Sequence, residues 1–126
     1  MKKIIKSPKA PLPIGPYNQA VVINNLVYLA GQIAIDPKTN QVVYGSVTEQ
    51  TRIIFQNIKN ILEAAGSSLD KIVKATVFLK SMDDFAPMNA VYAEFIKAET
   101  APARSTIEVA RLPKDALVEI EVVGEV

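Results

Sequence analysis

The chain has neither cysteine nor histidine. The first absence excludes disulfides and thiolate nucleophiles, the second excludes imidazole bases, and together they exclude the usual zinc sites. Any chemistry must run on carboxylates, Arg, Lys, Tyr, hydroxyls, amides and backbone dipoles. Glycine is scarce, with five in the whole chain, and no P-loop or GxGxxG fingerprint occurs. No apolar run approaches the ~18 residues of a membrane-spanning helix. The opening MKKIIKSPKAPLPIG has two lysines, but prolines, Lys6 and Lys9 interrupt any apolar stretch, so a signal peptide is not expected. A cytoplasmic location without a membrane partner follows as the default expectation. Positive charge is not in excess either: 14 Lys and Arg face 13 Asp and Glu, for a net charge of +1. Nucleic-acid binders usually carry a clear basic excess, so nucleic acid is not the expected partner.

What is present is globular. Hydrophobic residues make up 49% and charged residues 21% of 126 residues, enough for one domain, residues 1–126, with a real core. Residues 2–6 read as a short first strand. The segment 7–19 holds four of the eight prolines and reads as an extended loop. Strands are expected at 20–23 and 26–31, joined by Asn24-Asn25, since Asn tolerates the positive φ of a tight hairpin turn. DPKTNQ (36–41) is a second turn, before a short strand at Val42–Val43.

Ile54, Ile58, Ile61, Leu62 and Ala65 recur at helical spacing, with Ser46 or Thr48 able to cap the start and Gly66 placed to end the helix. The run 71–80 reads as a strand whose Val73, Ala75, Val77 and Leu79 face the core. A second helix starts at Asp83 or Asp84, carries Pro87 in its first turn and shows an apolar stripe of Met88, Val91, Tyr92, Phe95 and Ile96. ARSTIEVA and ALVEIEVVGEV are two further strands. The order β-ββ(β)-α-β-α-ββ predicts an α+β layer, a sheet of about six strands with both helices on one face. The other face is then bare and apolar, which predicts a homo-oligomer.

APARSTIEV (101–109) raises the functional question. It has strand character, yet Arg104 has no acidic residue within three positions on either side. Alternation places Arg104, Thr106 and Glu108 on one face, and Glu119 and Glu121 share a face of the last strand. If the two strands pair as a hairpin, Arg, Thr and Glu become neighbours. From the residues alone, a strand Arg such as Arg104 more often serves a surface or interface ion pair than a ligand, and either Glu119 or Glu121 could be the solvent-facing one.

IGPYNQA, AGQI, AAG, VKATVFL and PARSTIEVARLPKDALVEIE together resemble the reactive-intermediate-deaminase (RidA) family over essentially the whole chain. The resemblance implies a chorismate-mutase-like α+β fold, a homotrimer and small-molecule clefts between subunits. It implies hydrolysis of 2-imino acids, released by pyridoxal-phosphate dehydratases, to 2-keto acids and ammonia, with no cofactor and no metal. It implies Arg104 as the clamp for the substrate carboxylate and Glu119 as the acid that handles water, with Tyr17, Gly31, Asn89 and Thr106 lining the pocket. Two positions depart from the family pattern: Thr106 stands where Cys is frequent, and Ala30 where Ser is frequent. The alternatives are a non-catalytic, carboxylate-binding regulatory trimer, or the endoribonuclease and translation-inhibitor role proposed for some relatives.

Overall fold

Asn24 and Asn25 adopt left-handed φ angles of 49° and 65°. Two such residues in succession make the turn whose twist matches a hairpin. They join β2 (Ala20–Ile23) to β3 (Leu26–Leu29) in antiparallel register, with Ile23 opposite Leu26. β1 (Lys3–Ile5) adds to the outer edge of β2. The computed structural model describes residues 1–126.

β3 stops at Leu29, two residues short of the expected end. Beyond it, Gln32 exchanges both backbone hydrogen bonds with Ile120, at 2.8 and 3.0 Å. The chain thus changes partner strand at Ala30–Gly31. A small separate ribbon follows, β4 (Ile35–Asp36) with β5 (Gln41–Val42), one residue earlier than the expected strand.

α1 (Val47–Ala64) begins where Ser46 Oγ accepts from the Glu49 N–H, and the Glu49 carboxylate reaches back to the Ser46 N–H. It ends at Gly66, whose φ is 80°. There Ser67 N–H donates to Leu62 O and Gly66 N–H to Glu63 O, which closes the last carbonyls. α2 (Phe85–Phe95) carries Pro87 in its first turn as expected.

β6 (Ile72–Leu79) contains a register shift between Ile72 and Lys74. The extra residue corrects the expected alternation: Ile72 is buried at 3% exposure and Val73 is turned out at 48%. Ala75, Val77 and Leu79 face the core as expected.

The six-stranded sheet runs β1-β2-β3-β8-β6-β7, where β7 is Ala103–Glu108 and β8 is Val118–Glu125. β7 is parallel to β6; every other pair is antiparallel. The β7–β8 hairpin therefore does not form, because β6 lies between the two strands. The physical reason is burial. β6 and β8, at eight residues each the longest strands, bury Ala75, Val77, Leu79, Val118, Ile120 and Val122 together under the helices. β7 has no buried residue, so it takes the edge.

Ile54, Phe55, Ile58, Ile61 and Leu62 of α1, with Met88 and Tyr92 of α2, join those strand residues in one core cluster of 22 residues. Both helices thus cover one face. The opposite face stays open, and Ile4, Tyr28 and Ile107 on it are each more than 40% exposed. No helix is long and apolar enough to cross a membrane.

Candidate functional site

Strand register decides where each candidate side chain points. Arg104 is opposite Ala75 and Thr106 is opposite Val77, both core-facing positions of β6. Arg104 and Thr106 therefore point to the helix side of the sheet edge. Glu119 is opposite Phe78 on the other side of β6, and Glu121 is opposite Thr76. The pleat sends those two carboxylates to the open face. The six candidate residues fall into two clusters on opposite faces.

The first cluster is built by β7 and α2. Arg104 Nη1 donates to Asn89 Oδ1 at 2.7 Å. Its Cζ lies 4.4 Å from the centre of the Tyr92 ring and 5.6 Å from that of Phe85. None of the three ion pairs in the chain includes Arg104. A guanidinium has five N–H donors, and Asn89 takes one. The side chain borders an open cleft walled by Asn89, Tyr92, Ile96, Lys97 and Pro102. Thr106 sits two residues along the same face, and its buried Oγ1 has no hydrogen-bond partner. Burial pushes the Tyr92 hydroxyl pKa up, and the Arg104 charge and the guanidinium's approach to the hydroxyl oxygen oppose this only in part.

Tyr17, Gly31 and Glu119 form the second cluster, around a cleft of about 170 Å³ that Leu12, Ile14 and Lys114 also line. Gly31 is pressed against Glu119 by the Gln32–Ile120 bridge: a Cβ at position 31 would lie 2.5 Å from Glu119 Oε2. Burial raises the Glu119 pKa, and the like charge of Glu121 adds to the rise. The proline-rich loop over this cleft is fastened from beneath by Gln19. Its Oε1 accepts from the Ser7 N–H at 2.6 Å, and its Nε2 donates to the carbonyls of Ser7 and Pro11 at 3.1 and 2.8 Å. Tyr17 folds back on the same loop, its hydroxyl accepting weakly from the Ile14 N–H at 3.4 Å.

A carboxylate group that can trade protons and a guanidinium with free donors are thus both present, but not side by side. A profile described as endoribonuclease L-PSP, the family to which RidA proteins belong, matches residues 7–126. The chain belongs to this RidA family. It is 55% identical over 124 residues to a RutC family protein of Pyrococcus horikoshii, covering 98% of each chain. It is 48% identical to a 2-iminobutanoate/2-iminopropanoate deaminase of Salmonella typhimurium, again over 98% of each. The solved structure of E. coli TdcF with bound serine superposes with a TM-score of 0.91 at 42% identity, over 98% of each chain. The six-stranded sheet and two helices are the fold of this RidA family.

Sequence reasoning placed Tyr92 only on the core stripe and gave Phe85 no role. The signal was faint: Phe85, Asn89 and Tyr92 fall at i, i+4 and i+7, but aromatic residues at that spacing ordinarily mean a buried helix face.

Proposed function

We propose that this RidA-family chain hydrolyses small 2-imino acids to 2-keto acids and ammonia, in clefts between the subunits of a homotrimer. The observation that carries the proposal is Arg104: a half-buried guanidinium fixed by Asn89, with donors to spare and no carboxylate of its own. Its planar fork suits two-point binding of a substrate carboxylate. The deaminase name of a 48% identical relative and the serine bound to TdcF, itself an α-carboxylate, support the same substrate class.

The open sheet face supplies the assembly. Second and third copies packed on it would bury Tyr28, Val123, Phe78 and Ile107 and could bring Glu119 of one subunit to Arg104 of the next. In the reaction, water adds to the C=N carbon while the Glu119 carboxylate takes a proton from it. The imine nitrogen gains that proton; Glu119 then passes the carbinolamine's hydroxyl proton to the amine nitrogen, the C–N bond breaks, and ammonia leaves the keto acid. A raised pKa suits a carboxyl group that must both accept and return a proton. Tyr17, Gly31 and Thr106 shape the pocket around the substrate.

The test is a coupled assay. An amino-acid oxidase generates 2-iminopropanoate or 2-iminobutanoate, semicarbazide traps what remains, and the protein competes for it. The parent is expected to suppress semicarbazone formation and Arg104→Ala is not. A parent that leaves semicarbazone formation unchanged ends the deaminase reading.

A further inference from the structure

Phe85, Asn89 and Tyr92 occupy one face of α2, and all three reach the same guanidinium. Their contacts differ in kind. The Asn89 hydrogen bond fixes one nitrogen, and the Arg side chain could still pivot about it. An aromatic face 4.4 Å from Cζ removes that freedom, because the cation is drawn to the ring face. Tyr92 is itself held. Its ring meets the Phe55 ring edge-on at 5.4 Å, and Phe55 stacks on Phe95 at 5.2 Å. A continuous aromatic series thus runs from the core between α1 and α2 to the guanidinium. The Tyr92 phenol is uncharged at neutral pH, as any tyrosine is, and burial only reinforces this, so it adds no anion beside Arg104.

We propose that Tyr92, with Phe85 beside it, is the positioning residue of the carboxylate clamp: its ring sets the plane of the Arg104 guanidinium, so that the edge not used by Asn89 faces the cleft. The inference rests on the clamp reading of Arg104. It assigns Tyr92 no part in the chemical step, and it requires the ring rather than the hydroxyl.

The test compares Tyr92→Phe, Tyr92→Leu and Arg104→Ala, each checked for parent-like circular dichroism. Imine hydrolysis is followed by steady-state kinetics, and binding of 2-oxobutanoate by calorimetry. Tyr92→Leu is expected to raise KM and the 2-oxobutanoate Kd about tenfold, the upper range for a cation–ring contact, with kcat within about twofold. Tyr92→Phe, which keeps the ring, is expected to restore most of the binding that Tyr92→Leu loses. Arg104→Ala that binds 2-oxobutanoate like the parent would refute the clamp itself. Arg104→Ala that loses binding while Tyr92→Leu keeps it would refute only the positioning role. A Tyr92→Phe variant as weak as Tyr92→Leu, or a fall in kcat at constant KM, would also overturn it. Should Tyr92→Leu fail to fold, Phe85→Leu carries the same measurement, with a several-fold rise in Kd expected and an unchanged Kd overturning the proposal.

Discussion

Arg104 and Glu119 point to opposite faces of one sheet, on strands separated by β6. A ligand small enough to be held by one guanidinium cannot reach both within a subunit. If both serve one reaction, each site must draw them from different subunits.

Mixed assemblies test this directly. Subunits carrying Arg104→Ala and subunits carrying Glu119→Gln, each inactive alone, would be unfolded together in equal amounts and refolded. In a cyclic assembly with shared sites, about one quarter of the sites receive an intact Arg104 and an intact Glu119. About a quarter of parental activity is therefore expected. A mixture as inactive as its components would show that no site combines Arg104 of one subunit with Glu119 of another.

Gly31→Ala is expected to separate activity from stability. The new Cβ would stand 2.5 Å from Glu119 Oε2 and 3.0 Å from its Cδ. The obstruction is the end of a flexible side chain, so the fold accommodates it by swinging the carboxylate away. Displacing a reacting group by about 1 Å costs on the order of 10²-fold in rate. Steady-state kinetics should show that loss while Tm changes by only a few degrees. A variant with parental kcat/KM would mean that Glu119 does not need its present position.

Glu119 should also cost stability at neutral pH. Burial, with Glu121 adding to it, raises its folded-state pKa above that of the unfolded chain. The folded state therefore holds the proton more tightly, and stability falls as pH rises through that raised value. Glu119→Gln removes the penalty. Its Tm is expected to exceed the parent's at pH 7, and the gap should close as pH drops below the ordinary glutamate range. Calorimetry across that range checks it; a gap that widens on acidification would contradict the assigned shift. Glu121→Gln removes the like charge and should move the acidic limb of the parent's kcat/KM profile to lower pH.

Gln19→Ala addresses the loop over the Glu119 cleft. Gln19 is 4% exposed and binds both the N–H and the carbonyl of Ser7 as well as the carbonyl of Pro11. Truncation strands buried backbone groups, at about 1–3 kcal/mol in all once water partly replaces the amide. Urea unfolding should show a lowered midpoint with an unchanged m-value, and proteolysis should cut first within residues 7–16. A midpoint equal to the parent's would show that the loop is held by other contacts.

The sequence by itself determined the local elements. Ser46 or Thr48 marks the start of α1, the structure choosing Ser46, and Gly66 marks its end, Asn24-Asn25 the hairpin, and the apolar stripes the two helices, because capping, turn geometry and amphipathic spacing all act within a few residues. Arg104 was visible as a strand cation without a local partner, and PARSTIEVARLPKDALVEIE carried the family. The bulge after Ile72 was not visible, since one unpaired residue leaves no periodic trace and yet exchanges the faces of Ile72 and Val73. Nor was the place of β6 between β7 and β8, which follows from keeping the two longest strands off the sheet's edges. That one pairing choice separates Arg104 from Glu119. Tertiary structure alone also brought Tyr92 and Phe85 to Arg104, because a side chain's partner across an edge strand depends on which helix packs there, and no spacing within β7 encodes it.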